Sequence, residues 1–120
     1  MSSSRCSRLA LGLLTALAAC HPPASARDQA AAICPIRTGD LVQAIDVFDG
    51  PPADMAYLAP DGRRDGASVF TLGPIYAEGR TVTIRCKYRS GVATDVEIAA
   101  RVESCSARRE SSGNVAVACR

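Results

Sequence analysis

Tryptophan is absent, and the aromatic residues are only Phe48, Phe70, Tyr57, Tyr76 and Tyr88. Large apolar anchors are therefore scarce, and any core must rest on aliphatic side chains. The single histidine, His21, lies near the N-terminus. Beyond it no imidazole is available, which excludes Ser-His and Cys-His nucleophilic catalysis and histidine-ligated metals. No glycine-rich phosphate loop is present. The cysteines lack the paired C-x₂₋₄-C spacing of a zinc site. Asp46, Asp49 and Asp54 match no EF-hand spacing. The sequence thus gives no catalytic constellation, no metal site and no cofactor site, and a non-enzymatic protein is expected.

Charge of one sign is also missing. Of the 14 basic residues, Arg5 and Arg8 belong to the N-terminal leader, and the remainder equals the 12 acidic residues. A neutral domain lacks the basic excess that a nucleic-acid partner requires. Arg63-Arg64 and Arg108-Arg109 read as solvated loop charges. No apolar run reaches the about 20 residues that a membrane-spanning helix needs.

What is present starts with that leader. Arg5 and Arg8 precede a short apolar run from Leu9 to Ala19, the pattern of a secretory signal peptide. Two cleavage readings are open. Ala24-Ser25-Ala26 fits ordinary signal peptidase, giving a leader over 1–26. Leu17-Ala18-Ala19-Cys20 resembles a lipobox, giving a leader over 1–19 with Cys20 as the lipidation site. The membrane is reached only through that anchor. Residues 27–33 read as a linker, and 34–120 as one small exported domain. An exported domain with a thin core usually needs covalent staples. Cys34, Cys86, Cys105 and Cys119 supply them, and four cysteines permit three pairings. Cys34 and Cys119 lie at the domain's ends, where a bridge closes the longest loop, so Cys34–Cys119 with Cys86–Cys105 is the preferred pairing. The rival is Cys105–Cys119, symmetric about Ser112, with Cys34–Cys86.

Alternation of apolar and polar residues points to strands. Leu41, Ile45 and Val47 share one face of a strand over 41–48, with Gln43 as a blemish. Met55 and Leu58 suit one short helical turn. Residues 61–66, with two Asp-Gly breaks, read as a loop, and 69–72 as a short strand. The strongest signal is a hairpin over 81–98. Folding at Arg89-Ser90-Gly91 pairs Val82 with Ile98, Ile84 with Val96, Cys86 with Thr94 and Tyr88 with Val92. The same fold sets Arg85 opposite Asp95. A second hairpin joins 102–107 to 114–119. The expected fold is mainly β: a small antiparallel sheet or open barrel of five to six strands, at most one short helical turn, and a cleaved signal helix.

Several pieces carry a resemblance: Cys34-Pro35, Val47-Phe48-Asp49-Gly50-Pro51-Pro52, Leu58-Ala59-Pro60-Asp61, Cys86-Lys87-Tyr88 and Cys105. On these the chain resembles a family of small exported proteobacterial proteins of unknown function, with a Phe-Asp-Gly-Pro-Pro motif and a Cys-x-Tyr motif. The resemblance implies export and a β-rich domain, and no activity. Architecture then favours a protein-binding module of the cell envelope, of the inhibitor or immunity type. The alternative is an envelope structural or accessory lipoprotein held through Cys20. The expected binding element is the loop of Asp49, Gly50, Pro51, Pro52 and Asp54. Its prolines pre-set the backbone, and its acids face a basic cleft in a protein partner.

Overall fold

The computed structural model describes residues 32–120. The leader in either form, His21, Cys20 and most of the 27–33 linker lie outside the described residues. The structure is built from eight strands: β1 (Val42–Asp49), β2 (Tyr57–Leu58), β3 (Gly62–Arg64), β4 (Ala67–Thr71), β5 (Val82–Tyr88), β6 (Ala93–Ile98), β7 (Ser104–Arg109) and β8 (Val115–Cys119). One short helix, α1 (Gly73–Ala77), lies between β4 and β5. The strands form two antiparallel sheets, ordered β2-β1-β5-β6 and β3-β4-β7-β8. The expected single sheet or open barrel of five to six strands is therefore corrected to two four-stranded sheets that do not close. The added strands are β2 and β3, each three residues or fewer, too short for alternation to register.

The hairpin expected at 81–98 forms in the register read from sequence. Val82 faces Ile98, Ile84 faces Val96, Cys86 faces Thr94 and Arg85 faces Asp95. The Tyr88 amide donates to the Val92 carbonyl at 2.9 Å, and Gly91 takes φ +90° at the turn. One face of β5, from Val82 through Ile84 and Cys86 to Tyr88, is wholly buried. A side chain of this kind, fully buried, contributes about 1.5–3 kcal/mol. Opposite it, Phe70, Cys105, Val115 and Val117 of the second sheet join the same core cluster, with Leu72 and Ile75 at one end.

β1 explains the Gln43 blemish. The β1–β5 register shifts between Val42 and Ala44, so a bulge sits at Gln43. A bulge adds one residue and switches the inside-outside parity of the strand. Val42 therefore points to the core before it, and Ile45 and Val47 after it. Gln43 is left exposed, and its carbonyl accepts from Arg109 at 3.0 Å.

Three local expectations change. The helical turn expected at Met55–Leu58 forms instead at Pro52–Asp54, as a single 3-10 turn, and Tyr57–Leu58 pairs with β1. Leu58 is drawn to Val47 and Tyr57 to Phe48, so cross-strand burial outcompetes local helix. The 61–66 loop is a hairpin, with Asp65 at φ +50° and Gly66 at φ +79° between β3 and β4. Asp-Gly is the sequence that a two-residue turn of this hand prefers. The disulfides are Cys34–Cys86 and Cys105–Cys119, so the preferred pairing is overturned in favour of its rival. Cys105 and Cys119 face each other across the β7–β8 ladder, 4.1 Å apart at Cα. Loop-closure length therefore yields to geometry. Cys86, mid-strand in the other sheet, is reached by Cys34 on the segment that precedes β1, where the Tyr88 hydroxyl also donates to the Pro35 carbonyl.

Candidate protein-binding surface

The loop leaving β1 is fixed residue by residue. The Asp49 amide donates to Ala56 at 2.9 Å, and the Gly50 amide donates to Thr81 at 2.7 Å. Gly50 sits at φ +88°, a region that L side chains rarely adopt, and it is buried. Pro51 is extended, and Pro52 starts the 3-10 turn where its missing N–H costs nothing. The amides of Asp54 and Met55 each return 3.0 Å bonds to the carbonyls of Pro51 and Pro52. Met55 then takes a left-handed conformation at φ +55°, which reverses the chain into β2.

The two loop acids have different fates. Asp49 is largely buried and pairs through Oδ2 with Arg80, which also pairs with Glu78. Hydrogen bonds to Glu78, then to Asp49, hold the Arg80 guanidinium above its usual pKa. The other Asp49 oxygen, Oδ1, is buried without a partner among the described residues. Asp54 is exposed and makes no ion pair among the described residues. Asp49, Gly50, Pro51 and Asp54 do come together, around a shallow cavity of about 370 Å³ shared with Arg80.

The sharp turn has a second result. Met55 and Tyr57 are driven outward, 64% and 52% exposed, beside Asp54. Tyr57 rests on Phe48, with ring centroids 4.6 Å apart. Phe48 points away from the intersheet core, yet it is fully buried. The Arg85 guanidinium also lies over the Phe48 ring, 5.2 Å from its centroid. Arg85 is held by two bonds to Asp95, at 2.7 and 2.9 Å, and Lys87 meets Asp46 at 2.8 Å. The outer face of the first sheet thus carries an aromatic pair flanked by fixed charge rows.

Of the three tyrosines, only Tyr57 is on this surface. Tyr88 is core, and Tyr76 is partly buried with its hydroxyl donating to the Ile98 carbonyl at 2.9 Å. Sequence reading missed Met55, Phe48 and Arg85 as parts of one patch. The available signal was that Phe48 falls off the apolar parity of its strand and opposite Thr83. Cys20 lies outside the described residues.

The arrangement has the content of a contact surface: a rigid turn, exposed Met and Tyr, an arginine and a free acid, residue types found at interface centres and rims. Residues 38–120 match the family described as Type VI secretion system Tli immunity protein. The chain belongs to that family. Membership makes this an immunity-type module that works by binding a protein, a role that the motif resemblance alone did not supply. No curated protein and no solved structure shows a significant match to the chain.

Proposed function

We propose that this chain neutralises a secreted effector by occupying it through the surface built on residues 49–57, without chemistry of its own. The observation that carries this reading is the exposure of Met55 and Tyr57 on a loop whose amides at Asp49, Gly50, Asp54, Met55 and Tyr57 are all hydrogen-bonded. A surface ordered before binding loses little entropy when it docks. Asp54 supplies a carboxylate to a basic group on the partner. Asp49 belongs to the scaffold, because Arg80 already neutralises it.

Binding takes place after export in this reading. The Arg5–Ala19 leader pattern supports it, and so do two disulfides, which persist in an oxidising compartment. The effector meets the immunity protein in the periplasm.

The test is affinity capture from the periplasm of the tagged chain, followed by inhibition of the captured partner's toxicity. Met55→Asp keeps a residue that tolerates the left-handed backbone and places a charge at the centre of the patch. Met55→Asp and Asp54→Lys should each release the partner while the melting temperature stays unchanged. Retention of the partner by both variants sinks the assignment of this surface.

A further inference from the structure

The two Arg-Arg dipeptides, Arg63-Arg64 and Arg108-Arg109, are exposed, as expected, but lie on β3 and β7 rather than in loops. Each is divided by the fold. Arg63 donates to the Gly66 carbonyl at 2.9 Å, and Arg109 donates to the carbonyls of Gly113 and Gln43 at 3.0 Å. The other member of each pair, Arg64 and Arg108, turns to the outer face of the second sheet. Arg120 joins them around a cavity of about 280 Å³. Its floor is made of small residues, among them Val69, Ser104, Ser106 and Ala118. The Arg108 guanidinium reaches across the sheet to the β3–β4 turn, with Nη1 3.5 Å from where a Cβ on Gly66 would stand. Ala67 is buried on this face although it belongs to no core cluster. Among the described residues, no carboxylate pairs with Arg64, Arg108 or Arg120. One acid, Asp65, also lines the cavity, so the site keeps an excess of positive charge.

We propose that this cavity is a carboxylate-recognition site that receives an aspartate or glutamate side chain of the protein partner. The proposal rests on the protein-binding reading above, and it names a second, separate contact. Guanidinium groups accept carboxylates in a planar two-bond geometry. Ser104 and Ser106 add hydroxyl donors on the floor. A concave site with a small-residue floor admits one side chain. It presents no exposed apolar wedge, so it is a poor fit to a bilayer surface, which three arginines alone hold weakly. The first contact therefore offers an acid to the partner, and the second takes one from it. This reciprocal pattern fixes orientation, since reversing the partner sets like charges together.

The test is amide-resolved NMR of the oxidised domain titrated with a capped peptide of alternating glutamate and glycine. Saturable shifts at Val69, Ser104, Ser106 and Ala118 are expected, with none from a lysine–glycine peptide. Arg64→Gln and Arg108→Gln should each weaken binding about tenfold, the usual worth of one charge-assisted bond. Arg101→Gln, exposed and outside the cavity lining, should leave binding unchanged. Asp65→Asn keeps a side chain suited to φ +50° and should tighten it. The proposal is overturned by shifts that persist in both arginine variants, or by an absence of saturable shifts. Sedimentation with phosphatidylglycerol vesicles through the same arginines, with the peptide inert, overturns it too. The two readings fail separately. An effector still captured by Arg64→Gln/Arg108→Gln removes this site and leaves the immunity reading intact. A peptide that binds when no effector is captured preserves the site alone.

Discussion

Asp49 and Asp54 are five residues apart and do different work. Asp49→Asn removes the carboxylate that pairs with Arg80 and should lower the melting temperature only slightly, because the Arg80 end of the pair is open to solvent. Partner binding should survive. Calorimetry and a binding assay on the same sample check both halves. Phe48→Ala should be far more severe, about 3–5 kcal/mol by urea denaturation, because it empties a fully buried site against Tyr57 and Arg85. Acid sensitivity also resolves to single residues. The Ser90 hydroxyl and amide hold Asp40 below its ordinary pKa, the Thr71 amide does so for Asp61, and Arg85 for Asp95. A depressed folded-state value gives stability that is present above the unfolded value and lost as pH falls through the folded one. Melting temperature should therefore be level above about pH 5 and decline below about pH 4, where free aspartates protonate. Asp61→Asn should flatten part of that decline. The Phe-Asp-Gly-Pro-Pro run singled out this loop from sequence alone, and the fold gathers Asp49, Gly50, Pro51 and Asp54 around one cavity. Which acid faces solvent was not legible, because that depends on Arg80, which reaches Asp49 only through the fold.

Among the elements, legibility followed side-chain alternation. The β5–β6 hairpin was readable because an apolar face, a charge pair and a Gly91 turn all demanded one register. Gly91→Ala keeps every contact but forces a side chain into φ +90°, and should cost about 1–2 kcal/mol in chemical denaturation. β1 was half-readable, since the Gln43 bulge breaks its period. β3 was hidden because Gly62, Arg63 and Arg64 show no alternation and are all exposed. The cysteines could be counted but not connected. The bridge Cys34–Cys86 encloses a sequence separation of 52, and Cys105–Cys119 one of 14. On chain entropy, replacing the first pair with serine should cost about 4 kcal/mol and the second about 3 kcal/mol. Cys119 is only partly buried whereas Cys34 and Cys86 are buried, so mild reductant should open Cys105–Cys119 first. Timed alkylation with peptide mapping reads that order.

At the scale of the whole molecule, each of the two sheets buries one face and leaves the other outward. One outer face carries Tyr57, Phe48 and Arg85, and the other Arg64, Arg108 and Arg120. An effector that engages both must wrap an edge of the domain or present two segments. Intact mass of the exported protein fixes how the leader is removed. A start at Arg27 means ordinary cleavage, a lipid-modified Cys20 means an anchor, and a retained Met1 overturns export.

The Cys34–Cys86 bridge also governs how the domain carries load. Tension arriving from upstream of Cys34 passes through a covalent bond straight to β5, an inner strand of its sheet. It bypasses β1 through β4 altogether. Tension from the far end crosses Cys105–Cys119 in the same way. Between Cys34 and Cys119, only the segment from Cys86 to Cys105 is left to lengthen. Pulled from both ends in an optical trap, the oxidised domain should yield a short extension and then stop, and reductant should release the full chain.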